Sequence, residues 1–249
     1  MPHRYFLRLA YNGAPFHGWQ SQPNAVSVQE TIEKAMAIIL RGEVKITGAG
    51  RTDTGVNARS MFAHFDVDNK IADTRRFIMA LNSLVGKDIA IYSVKEVSDD
   101  AHARFDATAR TYKYFIGLQK SPFDYNFCWT PPFPLDVEAM NVAASHLFDY
   151  TDFTSFSKLH TDVLTNNCKI MYAKWEMEGE QLVFTIKADR FLRNMVRAIV
   201  GTLVDVGRGK ITVDGFCKII ESKNRCSAGA SVPGNALFLW KVDYPYPVE

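Results

Sequence analysis

The segment Gly48-Ala49-Gly50-Arg51-Thr52-Asp53-Thr54-Gly55 places an acid, a base and two hydroxyls in a glycine-bracketed loop. Three readings compete for it. A carboxylate projecting from a rigid turn can act as a nucleophile, as in glycosidases, while the glycines let the backbone approach a substrate closely. Arg51, two residues from Asp53, could then hold a substrate phosphate or keep Asp53 ionised, since a nearby positive charge lowers a carboxylate pKa. A backbone phosphate cradle is the second reading, but a P-loop ends in Gly-Lys-Ser/Thr and opens a helix, and here the following segment has the pattern of a strand. The third is a purely structural turn in which Thr52 and Asp53 make Asx-type bonds. A retaining glycosidase would also need a second, acidic carboxyl, and the sequence marks none.

Two other segments carry chemistry. Arg190, Arg193 and Arg197 fall at i, i+3 and i+7, within about 60° of one another on a helix turning about 100° per residue. Leu192, Met195, Val196, Ile199 and Leu203 take the other side. An amphipathic helix presenting three arginines to phosphates, or simply to solvent, is expected from Phe191 to Val206. In Ala109-Arg110-Thr111-Tyr112-Lys113-Tyr114-Phe115, strand periodicity sets Tyr112 and Tyr114 on one face with Arg110, and Lys113 on the other. Such a tyrosine either stacks on an unpaired base or packs within a sheet.

The elements that must hold these residues can be read from caps and periodicity. His3 to Tyr11 alternates as a strand, and Ser27-Val28-Gln29-Glu30 is a capping box opening a helix to about Arg41. Val44 to Gly48 and Arg59 to Val67 are strands on either side of the Asp53 loop. Asp73 caps a helix to Val85, and Asp88 to Val97 is a strand. This is the β-α-β-β-α-β order of the split βαβ or ferredoxin-like arrangement. A second round follows: a strand from Ala109 to Leu118, a helix from Asp136 to about Phe148, and a hairpin of Asn166–Met177 with Gln181–Ala188. Helices near 191–206 and 212–222 and a strand from Ala236 to Tyr244 complete it. The expectation is an α+β protein of two ferredoxin-like halves, 1–104 and 105–249, with sheets joined around a central active-site cleft. The first half carries the catalytic loop, the second the stacking tyrosine and the basic helix. Ser121 to Pro134, with four prolines, should be a long surface loop or lid.

Composition sets the outer bounds. A chain of 249 residues, 47% hydrophobic and 22% charged, folds as a globule rather than remaining disordered. The N-terminus shows neither a secretory h-region nor a transit-peptide character, and no apolar run reaches the roughly 18 residues that span a bilayer. A cytoplasmic protein without membrane contact is expected. Cys128, Cys168, Cys217 and Cys226 form no C-x-x-C pair, and His3, His17, His64, His102, His146 and His160 lack metal-ligand spacing, so reduced cysteines and no metal are expected. A net charge of +2 does not announce a nucleic-acid partner by itself. The basic stretch from Lys187 to Lys210, with six Lys or Arg against two acids, is a local patch that can.

Taken in order, these residues resemble the TruA-type tRNA pseudouridine synthases over nearly the whole chain. Tyr11-x-Gly13-x-x-Phe16-x-Gly18-Trp19-Gln20-x-Gln22 resembles that family's N-terminal block, Ser27-Val28-Gln29 the start of its first helix, and Gly50-Arg51-Thr52-Asp53-x-Gly55-Val56 its catalytic loop. His102-Ala103-Arg104-Phe105, Arg110-x-Tyr112-x-Tyr114, Asp152-Phe153-Thr154-Ser155-Phe156 and Phe191-x-x-x-Met195-Val196-Arg197-x-x-Val200-Gly201 follow in family order. The resemblance implies that Asp53 is the essential nucleophile, that Tyr112 packs against the target base, and that Arg197 pairs with Asp53. It implies no cofactor, a homodimer clamping the anticodon arm of tRNA, and uridines at tRNA positions 38 to 40 as targets. Thr54 and Asn57 depart from the Ala and His more often found in the loop, and Cys168 stands where an arginine is frequent. A non-catalytic RNA-binding module of ferredoxin-like halves is the main alternative, though the RNP1 aromatic pattern usual in such modules is missing. A small-molecule enzyme using the glycine loop for phosphate is a third.

Overall fold

The computed structural model describes residues 2–158 and 164–248. In chain order the elements begin β1 (His3–Tyr11), α1 (Val28–Leu40), β2 (Thr47–Gly48), β3 (Asn57–Val67), α2 (Thr74–Leu84) and β4 (Ile89–Glu96). They continue β5 (Ala109–Gly117), α3 (Val137–Ser145), β6 (Ile170–Glu178), β7 (Gln181–Ala188), α4 (Met195–Gly207), α5 (Val213–Glu221) and β8 (Leu237–Asp243). The fold is α+β. It divides into two compact units, residues 1–108 with 239–249, and residues 109–238. The units differ from the halves read in the sequence at the C-terminus, because β8 lies beside β3 and its residues from Leu239 onward cluster with the first unit.

The first unit is built on β1, which pairs antiparallel with both β3 and β4, while β2 pairs antiparallel with the far side of β3. Alternation along β1 separates two faces. Tyr5, Leu7, Leu9 and Tyr11 are buried on one, where Tyr5 stacks on Phe65 and Phe65 on Phe77 of α2. Phe6 and Arg8 lie on the other, opposite His64 and Phe62. The register shifts between Leu9, opposite Met61, and Tyr11, opposite Ala58, so Arg59 and Ser60 together face Ala10. This is a β-bulge, a device that re-aims side chains.

The caps expected from the sequence are in place. Ser27 accepts from Glu30 N, Asp73 from Arg76 N and Asp136 from Ala139 N; Thr212, expected only to begin a helix, also accepts from Gly215 N. Each satisfies an otherwise orphaned first-turn N–H. Beyond Ser145, α3 tightens into a 3-10 turn over His146–Asp149. Two strands are shorter than expected for a visible reason. Ile46 N donates to the Glu33 carboxylate at 3.0 Å and Ile46 O accepts from Gln29 Nε2 at 3.1 Å, so Ile46 is spent on α1 and only Thr47–Gly48 joins the ladder. Likewise Phe153 N donates to Asn166 O and Cys168 N to Thr151 O, so the expected strand start at Asn166 is tied to the 151–153 segment and β6 begins at Ile170.

In the second unit β7 is the central strand, antiparallel to β5 and β6. The β6–β7 hairpin turns at Gly179, whose φ of 63° suits the first central position of a two-residue turn. The basic amphipathic helix expected from Arg190 does not form. The α4 helix begins at Met195, and eleven of its thirteen residues are buried, so it is a core helix apolar nearly all round rather than a surface one. Two local devices keep 189–194 out of it. The Asp189 carboxylate accepts from Lys169 N at 2.8 Å and Arg190 N at 2.7 Å, holding the chain at the end of the sheet. Asn194 takes a left-handed conformation, φ 66°, before the first helical turn. Arg190 and Arg193 therefore sit in the preceding loop, and the shared helical face with Arg197 is lost. The 121–134 segment is a loop of turns, as expected, with Trp129 bridged to Ile116 of β5.

Candidate active site

Asp53 opens a tight turn. Val56 N donates to Asp53 O at 3.1 Å, and Gly55 at the third position has φ +76°, which a side chain rarely adopts. With Thr54 not at positive φ, this is the type II pattern, and it dictates glycine at 55. The turn aims the half-buried Asp53 side chain from a loop whose preceding residue, Thr52, is buried.

Thr52 is fixed from the N-terminal block. Its Oγ1 lies 2.9 Å from the Tyr11 hydroxyl, and its carbonyl accepts from Trp19 N at 3.3 Å. Gly55 N donates to Phe16 O at 3.4 Å, and Gly13 N donates to Asn57 Oδ1 at 2.8 Å. Gly18 permits this approach. It has φ +92°, and a Cβ there would stand 2.4 Å from Thr52 O and 3.2 Å from the Asp53 carbonyl carbon. The Trp19 ring lies 6.2 Å from Tyr11. The same block continues into α1, since Val28 N donates to Gly18 O and Gln29 N to Trp19 O. Residues 11–29 thus form a cradle around the Asp53 turn. Reading the sequence singled out the loop but not Tyr11 and Gly18 as its supports; only their place in the N-terminal block signalled them, while Asn57 stood out only as a departure from the family's loop.

Arg51, on the same loop, is exposed. The remaining sequence-predicted site residues lie in the second unit. Tyr112 is half-buried on β5 opposite Ile186, with its ring edge-to-face against Phe191 at 5.2 Å. Arg110 Nη1 donates to Asp189 O at 2.9 Å. Tyr112 therefore sits beside the 189–194 loop that carries half-buried Arg190 and exposed Arg193. Arg197, in the first turn of α4, is half-buried, and its Nε donates to Val232 O at 2.8 Å. Tyr114 is not a surface tyrosine. It is fully buried and donates to Pro233 O at 3.1 Å; burial raises its pKa well above the ordinary phenol value, against the lowering influence of the Arg197 charge.

Comparison with known proteins gives this arrangement its context. A family model described as tRNA pseudouridine synthase matches residues 143–245. The tRNA pseudouridine synthase A of Parabacteroides distasonis is 59% identical over 249 residues, 99% of each chain. That of Bacteroides fragilis is 58% identical over 246 residues, 98% of each chain. That of Colwellia psychrerythraea is 39% identical over 249 residues, 99% of this chain and 95% of the relative. The chain belongs to the tRNA pseudouridine synthase A family.

Within that family's pattern, the three departures noted in the sequence take distinct places. Thr54 is exposed at the second position of the turn. Asn57 is buried, and its side-chain oxygen supplies the acceptor for Gly13 N. Cys168 is buried with Sγ 3.9 Å from Met195 Sδ, and burial pushes its thiol up to about 12, so it packs as a neutral group. Among the described residues, no group of three or more His, Cys, Asp or Glu is placed to hold a metal ion, and no helix is long and apolar enough to cross a membrane. His160 lies outside the described residues. All four cysteines are free thiols.

Proposed function

We propose that this protein isomerises uridine to pseudouridine in tRNA, with Asp53 as the nucleophile. The observation that carries the reading is the Asp53 turn, held from residues 11–29, in a chain that matches tRNA pseudouridine synthases A along essentially its full length. The reaction breaks the N1–C1′ bond, turns the base over and joins C5 to C1′, while C5 releases its proton and N1 takes one up. Atoms and electrons balance without an oxidant, reductant or cofactor. Asp53 either attacks C1′ or promotes elimination to a glycal, and both routes need a carboxylate at the sugar.

The other residues take roles from their chemistry. Arg197 holds the Asp53 carboxylate ionised as charge moves during the reaction. Tyr112 stacks on the target uracil once the nucleotide has left its helical stack, a step costing a few kcal/mol. Arg51, Arg190 and Arg193 bind phosphates; the last two do so from a loop, which suits an irregular RNA backbone. The first half, 1–104, supplies the nucleophile, and the second, 105–249, the stacking tyrosine and arginines. Both halves are variants of the ferredoxin-like unit, with sheets joined around the active-site cleft. The all-antiparallel order β4-β1-β3-β2 in the first unit supports the ferredoxin-like reading of the first half. The targets are uridines at positions 38 to 40 in the anticodon arm, gripped by a homodimer in the cytoplasm.

Incubation with transcribed tRNA carrying 5-tritiated uridine, followed by chemical mapping of pseudouridine, tests the reading. Tritium release with modification confined to positions 38 to 40 is expected. Tight tRNA binding without release from any uridine would instead leave a binding module.

A further inference from the structure

The face of the first unit's sheet turned away from α2 carries a second feature, lined by none of the residues assigned to the reaction at Asp53. A concavity of about 490 Å³ is lined there by Arg8, Ser60, Phe62, Trp240, Lys241 and Tyr244, with the C-terminal residues through Val248 as one wall. Its size falls within the range of pockets that take a small organic group such as a nucleotide. Its chemistry is basic and aromatic together. Arg8 stacks its guanidinium 5.5 Å from the Tyr92 ring, and Arg59, re-aimed by the bulge, stands 5.6 Å from the Trp240 ring. Lys95 reaches the same wall, where its ammonium donates to Pro247 O. Against these cations and Lys241 stands one lining carboxylate, Asp243, which Lys241 pairs at 2.7 Å.

The walls are fixed rather than loose. The Tyr244 hydroxyl donates to Ala103 O at 2.6 Å, and the Tyr246 hydroxyl to the Asp106 carboxylate at 2.5 Å. Tyr244 packs edge-on to both Phe6 and Phe62. Anchored aromatic rings interleaved with cations are what an unpaired nucleobase and its flanking phosphates require. A protein partner would need an acidic surface there, and an apolar partner would leave these cations desolvated.

We infer that this face is an RNA-docking site built from residues other than those assigned to the reaction, where an unpaired nucleotide of the substrate stacks against Trp240 while Arg8, Arg59 and Lys241 bind the phosphates beside it. The inference rests on the proposed tRNA reaction and extends it to a second contact on the same RNA. Its effect is on affinity. Removing exposed Arg59 and Lys241 together takes away phosphate contacts without disturbing the core, and Trp240→Ala takes away the stack.

The test measures tRNA affinity at several salt concentrations, single-turnover tritium release at saturating enzyme, and mass in solution, for wild type, R59A/K241A and W240A. A thermal melt checks that W240A is folded. The expected result is a roughly tenfold weaker Kd for each variant, and for R59A/K241A a shallower dependence of log K on log salt. The rate at saturation stays within about twofold of wild type. Ultraviolet crosslinking of wild type to tRNA should join RNA to the peptide containing Trp240. Unchanged Kd and salt slope in R59A/K241A, with no crosslink at that peptide, overturn the inference. A fall in mass to that of one chain, with no crosslink, also overturns it, assigning the face to contact between copies. A wild-type protein that isomerises uridine normally but is indifferent to these substitutions removes this site and leaves the reaction. One that binds RNA through this face yet releases no tritium does the reverse.

Discussion

Gly18→Ala is the substitution that most directly separates the Asp53 cradle from the carboxylate itself. The added methyl would lie 2.4 Å from Thr52 O and 3.2 Å from the Asp53 carbonyl carbon, both backbone atoms. The closer approach is about 1 Å short of ordinary van der Waals contact. No rotamer relieves it, so the Thr52–Asp53 peptide must move. Adopting φ +92° costs alanine about 1–2 kcal/mol, and the overpacking about 1–3 more. The total of about 2–5 kcal/mol falls at or below the lower end of a typical domain's stability, so the variant remains folded at moderate temperature. A displacement of about 1 Å at a reacting group costs on the order of 100-fold in rate. Single-turnover tritium release at saturating enzyme should therefore fall about 100-fold, with tRNA Kd within about threefold of wild type. Gly50→Ala is the control, since a Cβ at Gly50 meets no protein atom within 4 Å. A Gly18→Ala enzyme of full rate and normal melting would refute the idea that residues 11–29 fix Asp53.

Other consequences follow from single contacts. Asn57→Ala removes the buried acceptor of Gly13 N, a loss of about 1–3 kcal/mol that a denaturant melt would register; an unchanged midpoint would remove Asn57 from the cradle. Arg197→Ala should abolish turnover while circular dichroism and tRNA binding persist, and a normal single-turnover rate would make the arginine peripheral. His64 is buried, accepts Ala103 N at Nδ1 and lies 4.5 Å from His102, and its pKa is lowered from 6.5 to about 4, chiefly by burial. The folded state then binds fewer protons than the unfolded one, so this contribution is present above pH 6.5 and is lost as pH falls from 6.5 through about 4. Stability should drop by on the order of 2 kcal/mol between pH 7 and pH 4, and His64→Gln should flatten that profile. Equal slopes in both proteins would contradict it.

Local chemistry made much of this chain legible. Ser27, Asp73 and Asp136 each announced a helix start through a side-chain acceptor, and each accepts the expected N–H. The Asp53 loop stood out because its glycines and carboxylate share eight residues. The start of α4 did not, because Leu192 extends the apolar period of the helix backwards, while the signals against it depend on distant partners. Asp189 is engaged by Lys169, twenty residues away, and Asn194 Nδ2 by Ser231, at 2.6 Å. Periodicity carries no record of such contacts. The same holds for Ile46, diverted from the ladder by Gln29 and Glu33, and for β8, whose last residues join a unit formed mostly of residues before 109. In the site, the carboxylate was visible and its supports were not, since Tyr11 and Thr52 meet across forty-one residues.

The claim that Asp53 performs the chemistry is tested most directly by Asp53→Asn, which keeps the size and much of the hydrogen bonding of the side chain while removing its charge. Tritium release from 5-labelled uridine in tRNA, measured in a single turnover with tRNA affinity determined in parallel, should be lost while binding is retained. Substantial release by the Asp53→Asn variant would contradict the assignment.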